Sequence, residues 1–197
     1  MINPDVPGAG LGKIQQVHIT LPLSPELTRT LQAGEQVRLS GPLYAARDAA
    51  HRRMAEALSR GEPLPIPLRG ETIYYVGPTP ARPGEVIGAA GPTTAMRMDP
   101  FTPALLAEGL LGMIGKGDRG PEVRQAIQRH GAVYFMAVGG TGALLSAQVA
   151  AVEPVAYEDL GAEAIRRLVL RDFPVIVACD ANGGNLFDAG KATYRRA

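Results

Sequence analysis

Hydrophobic and polar positions follow two periods along this chain. Val17, Ile19 and Leu21 alternate with polar residues, which is the period of a half-buried strand. Between residues 48 and 60 the apolar side chains instead recur every three or four positions, which predicts an amphipathic helix. The run over residues 132–138 is apolar throughout, as is typical of a strand buried on both faces. These patterns predict strands and helices packed together in an α/β domain.

The remaining segments extend this prediction. Strands or other core segments are expected over residues 37–44, 72–76, 85–89, 112–115, 152–157, 164–170 and 174–180. Helices are expected over residues 24–31, 102–110, 121–130 and 143–150. Prolines at every second position make residues 61–70 a stiff connector.

Length and charge narrow the class of protein. The 197 residues, 46% of them hydrophobic, are long enough for one well-filled domain and short for two, so a single domain over 1–197 is expected. The formal net charge is +1, and no run of like charges has the length of a nucleic-acid-binding arm. We therefore expect no nucleic-acid partner.

Cysteine content and hydropathy indicate in which cellular compartment the protein is expected. Cys179 is the only cysteine, which excludes a disulfide framework, a zinc quartet and a set of thiolates for an iron–sulfur cluster on this chain. No apolar stretch approaches the roughly 20 residues of a membrane-spanning helix. The residues Met1-Ile2-Asn3-Pro4-Asp5 lack the basic and apolar regions of a signal peptide. A cytoplasmic protein without a membrane partner is expected.

The most polar candidate site is Gly91-Pro92-Thr93-Thr94-Ala95-Met96-Arg97-Met98-Asp99, which is predicted to be a loop at the end of a strand. Thr93 and Thr94 offer adjacent hydroxyls, and Arg97 offers a planar fork that matches a carboxylate or a phosphate. These groups suit a small oxyanion. The alternative is a proline-stiffened turn in which an exposed Arg97 pairs with Asp99.

Two further segments carry isolated polar groups. Arg47 and His51 lie four residues apart at the predicted start of a helix, so both could face a ligand there, although His51 is more simply a solvated or hydrogen-bonded residue. Lys116 stands between Gly115 and Gly117 in a loop that offers it little to pack against. This loop is not a nucleotide triphosphate site, because Gly117 occupies the position where Ser or Thr must bind magnesium.

Five motifs stand in order along the chain and carry a family resemblance. They are Ala46-Arg47-Asp48-Ala49-Ala50-His51, Ile73-Tyr74-Tyr75-Val76-Gly77-Pro78, the loop over residues 91–99, Met113-Ile114-Gly115-Lys116-Gly117 and Asp172-Phe173-Pro174. Together they resemble the β subunit, or C-terminal domain, of class I iron–sulfur fumarate hydratases. The L-tartrate dehydratase β subunit is similar over the same segments. The resemblance runs from about Leu21 to Asn185.

The resemblance implies a swivelling β/β/α three-layer domain of the α/β class with mixed sheets. It also implies docking onto an α subunit that holds a [4Fe–4S] cluster, and therefore a hetero-oligomer. Carried over residue by residue, it places Arg47, Arg97 and Lys116 on the substrate carboxylates, with Thr94 as a further hydrogen-bond partner. Thr93 matches the threonine proposed as the base that takes the carbon-bound proton. His51 matches a family position to which no role is assigned.

The expected function is that of the β subunit of a heteromeric hydro-lyase that hydrates fumarate reversibly to L-malate. Such a chain would supply cations and hydroxyls to an active site shared with its partner, and would be inactive alone. One alternative is the β subunit of an L-tartrate dehydratase. Another is a non-catalytic module that binds a small anion, suggested by the absence of a thiol triad that could ligate a cluster.

Overall fold

A computed structural model describes residues 16–195. Within that range the strands are β1 (Val17–Thr20), β2 (Gln36–Ala45), β3 (Thr72–Tyr74), β4 (Gly112–Gly115), β5 (Val133–Met136), β6 (Val149–Ala156) and β7 (Ile165–Cys179). The helices are α1 (Pro25–Thr30), α2 (Asp48–Ser59), α3 (Thr102–Ala107), α4 (Pro121–His130), α5 (Gly142–Ser146) and α6 (Leu186–Tyr194). Two 3-10 helices cover Ala95–Met98 and Glu158–Glu163. No helix among these is long and apolar enough to cross a membrane.

The strands form a mixed sheet in the order β1-β2-β3-β4-β5-β7-β6. Strands β2, β3, β4 and β5 run parallel, whereas the long strand β7 pairs antiparallel with β5, β6 and also β2. Because β7 pairs with both β2 and β5, the pairings close a ring of five strands. The carboxyl ends of the four parallel strands lie at one edge of this ring.

Two hydrophobic cores share the parallel strands. The core enclosed by the strands includes Leu39, Tyr74, Ile114, Phe135 and Phe173. The core between the strands and helices α2, α3 and α4 includes Met54, Tyr75, Met113, Leu105 and Ile127. Successive residues of β3 and β4 therefore contribute to opposite cores, as alternation along a strand requires. The result is two layers of strands and one of helices, which confirms the predicted three-layer α/β fold.

Local capping explains where helices begin and end. Ser24 precedes α1 and accepts a hydrogen bond from the amide of Leu27 at 3.2 Å, while Pro25 occupies the first helical position. Helix α4 likewise starts with Pro121 and ends at Gly131, whose φ of 66° belongs to the left-handed region that glycine tolerates. The predictions of helices over 24–31, 48–60 and 121–130 are confirmed.

Two predicted elements are wrong. Residues 85–89 form no strand. The amide of Thr79 donates to the carbonyl of Ala89, and the amide of Ala89 donates to Oγ1 of Thr79. These two hydrogen bonds close the segment into a loop. The helix predicted over 143–150 is only the short α5, and strand β6 already begins at Val149. In both segments, pairing with a distant part of the chain overrides the local pattern.

The segments 164–170 and 174–180 were predicted separately, yet they join in one strand, β7. The register against β2 shifts between Gly41, opposite Leu170, and Leu39, opposite Phe173. Asp172 has a φ of 48° at this irregularity. A β-bulge at Arg171 and Asp172 thus keeps the strand continuous, and Pro174 pairs in register with Arg38.

Candidate active site at the carboxyl edge of the strands

The polar residues singled out in the sequence follow the ends of the parallel strands. Arg47 comes two residues after β2, and Lys116 follows directly after β4. Because neighbouring parallel strands end at the same edge, their following loops meet there. A side chain at Gly77, after β3, would come within 2.9 Å of Arg47 Nη1. The Arg47 guanidinium therefore lies against the loop that follows β3.

The loop of residues 91–99 is fastened between the ends of β3 and β4. The amide of Thr93 donates to the carbonyl of Tyr75 at 2.7 Å, and the amide of Lys116 donates to the carbonyl of Thr93 at 3.0 Å. The amide of Ala95 donates back to the carbonyl of Lys116 at 2.8 Å. Thr93 and Thr94 are consequently held to Lys116 by main-chain bonds, although Lys116 comes more than 20 residues later in the sequence.

Gly115 makes this close approach possible. A Cβ at Gly115 would lie 2.9 Å from Cδ2 of Tyr75 and 3.0 Å from Cβ of Ala95. A side chain here would therefore push the threonine loop away from β4. The glycine before Lys116 is needed for packing rather than for binding a phosphate.

Arg47 and Arg97 share the carboxylate of Asp48. Arg97 Nε lies 2.7 Å from Oδ1 of Asp48, and Arg47 Nε lies 3.1 Å from Oδ2. Arg47 Nη2 also lies 3.1 Å from Oε1 of Glu163. These contacts place the two guanidiniums next to each other. Each is held to Asp48 through its Nε atom. Among residues 16–195, the Nη groups of Arg97 and Nη1 of Arg47 donate no hydrogen bond, so they have donors available for a further anion.

The two carboxylates that hold the arginines were missed by sequence reasoning. Burial alone would raise the pKa of Asp48, but hydrogen bonds from its own amide and Arg47, with attraction to Arg97, together hold it below the ordinary value. Glu163 accepts a hydrogen bond from the amide of Ala49 at 2.8 Å and so caps helix α2. Asp48 stands beside Arg47 in the sequence, whereas Glu163 is 116 residues from Arg47 and no local pattern connects them.

Lys116 and the two threonines contribute groups that are not engaged elsewhere. Lys116 is half-buried, Thr93 is 9% exposed and Thr94 is exposed. Within the described part of the chain, the Lys116 ammonium forms no ion pair and neither threonine hydroxyl forms a hydrogen bond. A Cβ at Gly139, after β5, would lie 3.5 Å from Cδ of Lys116, so the lysine stem extends along that loop.

His51 is buried and uncharged, which excludes the interpretation of this residue as a solvated side chain at a helix end. Its Nδ1 lies 3.0 Å from the carbonyl of Arg47, and its ring meets that of Tyr75 edge-on with centroids 5.1 Å apart. Burial lowers the pKa of His51 to about 4, against the opposing effect of the hydrogen bond to Arg47. At neutral pH the protonated nitrogen is therefore Nδ1, which donates to Arg47. The interpretation of His51 as a hydrogen-bonded residue is confirmed.

The suggested pairing of Arg97 with Asp99 is wrong. Arg97 pairs with Asp48, while Oδ1 of Asp99 accepts from Nε of Arg119 at 2.7 Å. The reason is that Arg119 is buried directly beneath the loop and offers Asp99 a charged donor out of water. Sequence reasoning missed Arg119, since nothing in its neighbourhood distinguishes it from a surface arginine.

The chain does not offer ligands for an iron–sulfur cluster. Among residues 16–195, no three His, Cys, Asp or Glu side chains are grouped to hold a metal. The chain has one cysteine, Cys179, which is buried; burial raises the pKa of its thiol to about 12. A four-iron cluster needs several thiolates, so the residues present do not fit one. The loops at this edge of the strands carry three cations and two hydroxyls, groups of the kind that bind a small anion with more than one carboxylate.

Residues 3–190 match the protein family described as Fumarase C-terminus. The aerobic class I fumarate hydratase of Salmonella typhimurium is 36% identical over 183 residues, which cover 91% of this chain and 32% of that protein. Fumarate hydratase 1, mitochondrial, of Leishmania major is 37% identical over 155 residues, covering 78% of this chain and 28% of that protein. The chain thus spans roughly a third of the length of these curated relatives.

A relative of similar length is also found. The L(+)-tartrate dehydratase subunit beta of Escherichia coli is 32% identical over 181 residues, which cover 89% of this chain and 89% of that subunit. The same sequence region therefore occurs both within a longer protein and as a subunit by itself.

Proposed function

Because the chain belongs to the fumarase C-terminus family, as its five motifs predicted, we propose that it is the β subunit of a hydro-lyase that interconverts fumarate and L-malate. The observation that supports this proposal is that Arg47 and Arg97 share Asp48, while the loop of Arg97 is bonded through Thr93 and Ala95 to the main chain of Lys116. A dicarboxylate needs at least two cations, and these three have donors that no described residue occupies. Residues 1–197 would act in this role as a single domain.

The cations stabilise the charge that develops during the reaction. Removal of a proton from the carbon next to a carboxylate moves negative charge onto that carboxylate. Arg47, Arg97 and Lys116 contacting it would stabilise the transition state more than the ground state, which is the condition for catalysis. Asp48 and Glu163 hold the arginines before substrate arrives, so little reorganisation is needed.

Thr93 is proposed as the base that accepts the carbon-bound proton, with Thr94 as a hydrogen-bond partner of the substrate. A free hydroxyl is a very weak base, so an alkoxide at Thr93 needs nearby positive charge. The main-chain bond between Thr93 and Lys116 keeps that lysine in the neighbourhood. The hydroxyl of Thr93 has no other described partner that would compete for its proton.

A partner would supply what this chain lacks. We propose an α subunit that holds a [4Fe–4S] cluster, which would act as a Lewis acid for the departing hydroxyl, in a cytoplasmic hetero-oligomer that is active only when assembled. The existence of a relative named as a beta subunit supports a split enzyme. The single buried Cys179 supports placing the cluster outside this chain.

Tartrate dehydration is the second candidate, favoured by the tartrate dehydratase subunit that matches over 89% of its length. The test is to assemble the chain anaerobically with its cysteine-bearing partner and measure dehydration of L-malate and L-tartrate by the same preparation. Turnover of malate to fumarate supports the proposal, and turnover of tartrate alone selects the second candidate. If a cluster-loaded complex turned over neither malate nor tartrate, the remaining hypothesis would be a non-catalytic module that binds a small anion.

A further inference from the structure

The charged side chain of Arg119 lies inside the protein. The residue is 1% exposed, and its side chain is among the largest that are fully buried within residues 16–195. Nε donates to Oδ1 of Asp99 at 2.7 Å, Nη2 donates to Oγ1 of Thr102 at 2.7 Å, and Nη1 donates to the hydroxyl of Tyr75 at 3.2 Å. Its guanidinium also lies 5.1 Å from the ring centroid of Tyr134. Such burial prevents Arg119 from contacting a substrate.

Two of the partners of Arg119, Asp99 and Thr102, form further hydrogen bonds. The second oxygen of Asp99 accepts from the amide of Gly120 at 2.7 Å. Thr102 accepts from Arg119 while donating to the carbonyl of Met98 at 2.8 Å. Burial alone would lower the pKa of Arg119, but Tyr75 and Asp99 raise it above the ordinary value, so the side chain stays charged. This is a largely buried polar network, in which Arg119 and Asp99 restrict each other's geometry.

The network joins the two loops that carry the proposed substrate ligands. Asp99 follows the 3-10 helix that contains Arg97, and Arg119 lies three residues after Lys116. At their other ends the same loops are joined by the main-chain bonds of Lys116 with Thr93 and Ala95. The threonine loop and the lysine loop are thus fastened to each other at two points, one made by backbone and one by side chains.

We propose that Arg119 is a positioning residue of the active site, which through Asp99 sets the placement of Thr93 and Lys116 relative to each other. This inference rests on the function proposed above. The presence of a buried ion pair supports the positioning role. Well-packed apolar residues can often replace such a pair without loss of stability, so stability alone does not require Arg119 and Asp99 here. An apolar contact would fill the space, but it would not fix the loops in direction and distance as three hydrogen bonds do.

The experiment uses the assembled enzyme with Arg119→Met, Arg119→Lys and Asp99→Asn. Displacing Thr93 and Lys116 while Asp48 still holds the arginines should lower kcat on the order of 10- to 100-fold and change KM much less. Ile127→Ala is the matched control, because this residue is buried in the helical core and its helix α4 begins two residues after Arg119. The control should lose stability but keep kcat.

Hydrogen exchange gives a second measurement that does not depend on turnover. The amides of Ala95 and Lys116 should exchange faster in the Arg119 and Asp99 variants than in the wild type, and should be unchanged in Ile127→Ala. Asp99→Asn keeps the shape of the side chain and decides the outcome if Arg119→Met does not fold. Folded variants with wild-type exchange at both amides and wild-type kcat would overturn the proposal. Absence of turnover in the wild type would count against the proposed function, and the exchange rates would then decide the positioning role alone.

Discussion

Two ion-pair clusters lie within the same part of the molecule and differ in their exposure and in the number of hydrogen-bond donors that stay unused. In the outer cluster, Asp48 is shared by Arg47 and Arg97, and the side chains are 23%, 24% and 51% exposed. In the inner cluster, Arg119 is wholly buried and Asp99 is 16% exposed. The outer arginines keep donors that no described residue uses, whereas every nitrogen of Arg119 has a partner. Exposure and unused donors therefore separate the two arginines that we propose to bind substrate from the structural Arg119, although all three pair with aspartate.

The largest expected effect is on stability and concerns the inner cluster. Asp99→Ala should lower the free energy of unfolding by about 3–5 kcal/mol, because it leaves the charge of Arg119 buried without its counter-ion. Urea unfolding of the isolated chain measures this. The matched variant of the outer cluster, Arg97→Met, should cost less than about 1 kcal/mol, because that arginine is half exposed. Equal losses in the two variants would remove the distinction between the clusters.

His51 lies between the two clusters and gives the protein a pH dependence. Its pKa is about 4 in the folded chain and near 6.5 when exposed, so the unfolded state binds more protons between these values. The contribution of His51 is fully present above pH 6.5 and is lost as the pH falls toward 4, by on the order of 3 kcal/mol in total. His51→Asn, which can still donate to the carbonyl of Arg47, should flatten this part of the curve. Urea unfolding at about pH 7, 6 and 5, in steps of roughly one unit across the titration, tests it. An unchanged slope in the variant would mean that His51 is not the group responsible.

The next effect is on activity and concerns the outer cluster. Arg97→Lys keeps the charge but loses the planar fork, so a two-point contact with a carboxylate becomes a single one. The loss of a charge-assisted hydrogen bond of about 1.5–3 kcal/mol corresponds to a decrease in kcat/KM on the order of 10- to 100-fold. Malate dehydration by the assembled enzyme, with thermal unfolding beside it, measures both properties. If kcat/KM stayed at the wild-type value, Arg97 would be a surface arginine that pairs with Asp48 and does nothing more.

The sequence was informative where local rules decide the structure. Caps and prolines marked the starts of α1 and α4, and Arg47 and Lys116, which stand 69 positions apart, follow the parallel strands β2 and β4. The choice of ion-pair partner was not local. Arg97 pairs with Asp48 rather than with Asp99, two residues away, because tertiary packing brings α2 to the loop and places Arg119 beneath it.

The same limit applies to the strands. Strand β7 could not be recognised as a single element, since the bulge at Asp172 is accommodated by direct pairing with β2, which is distant in the sequence. Glu163, which holds Arg47 and caps α2, comes from a 3-10 helix that no sequence pattern connected with the site. Groups that act through another residue are therefore the part of the site that the sequence does not reveal.

The most direct test of the central claim, that the three cations form one dicarboxylate site, is kcat/KM of the Lys116→Met variant in the assembled enzyme. Lys116 forms no ion pair within residues 16–195, so its charge has no structural role there and the free energy of unfolding should stay within about 0.5 kcal/mol of the wild type. Loss of a charge-assisted contact to the substrate should lower kcat/KM on the order of 10- to 100-fold. A variant with wild-type kcat/KM for both malate and tartrate would contradict the account.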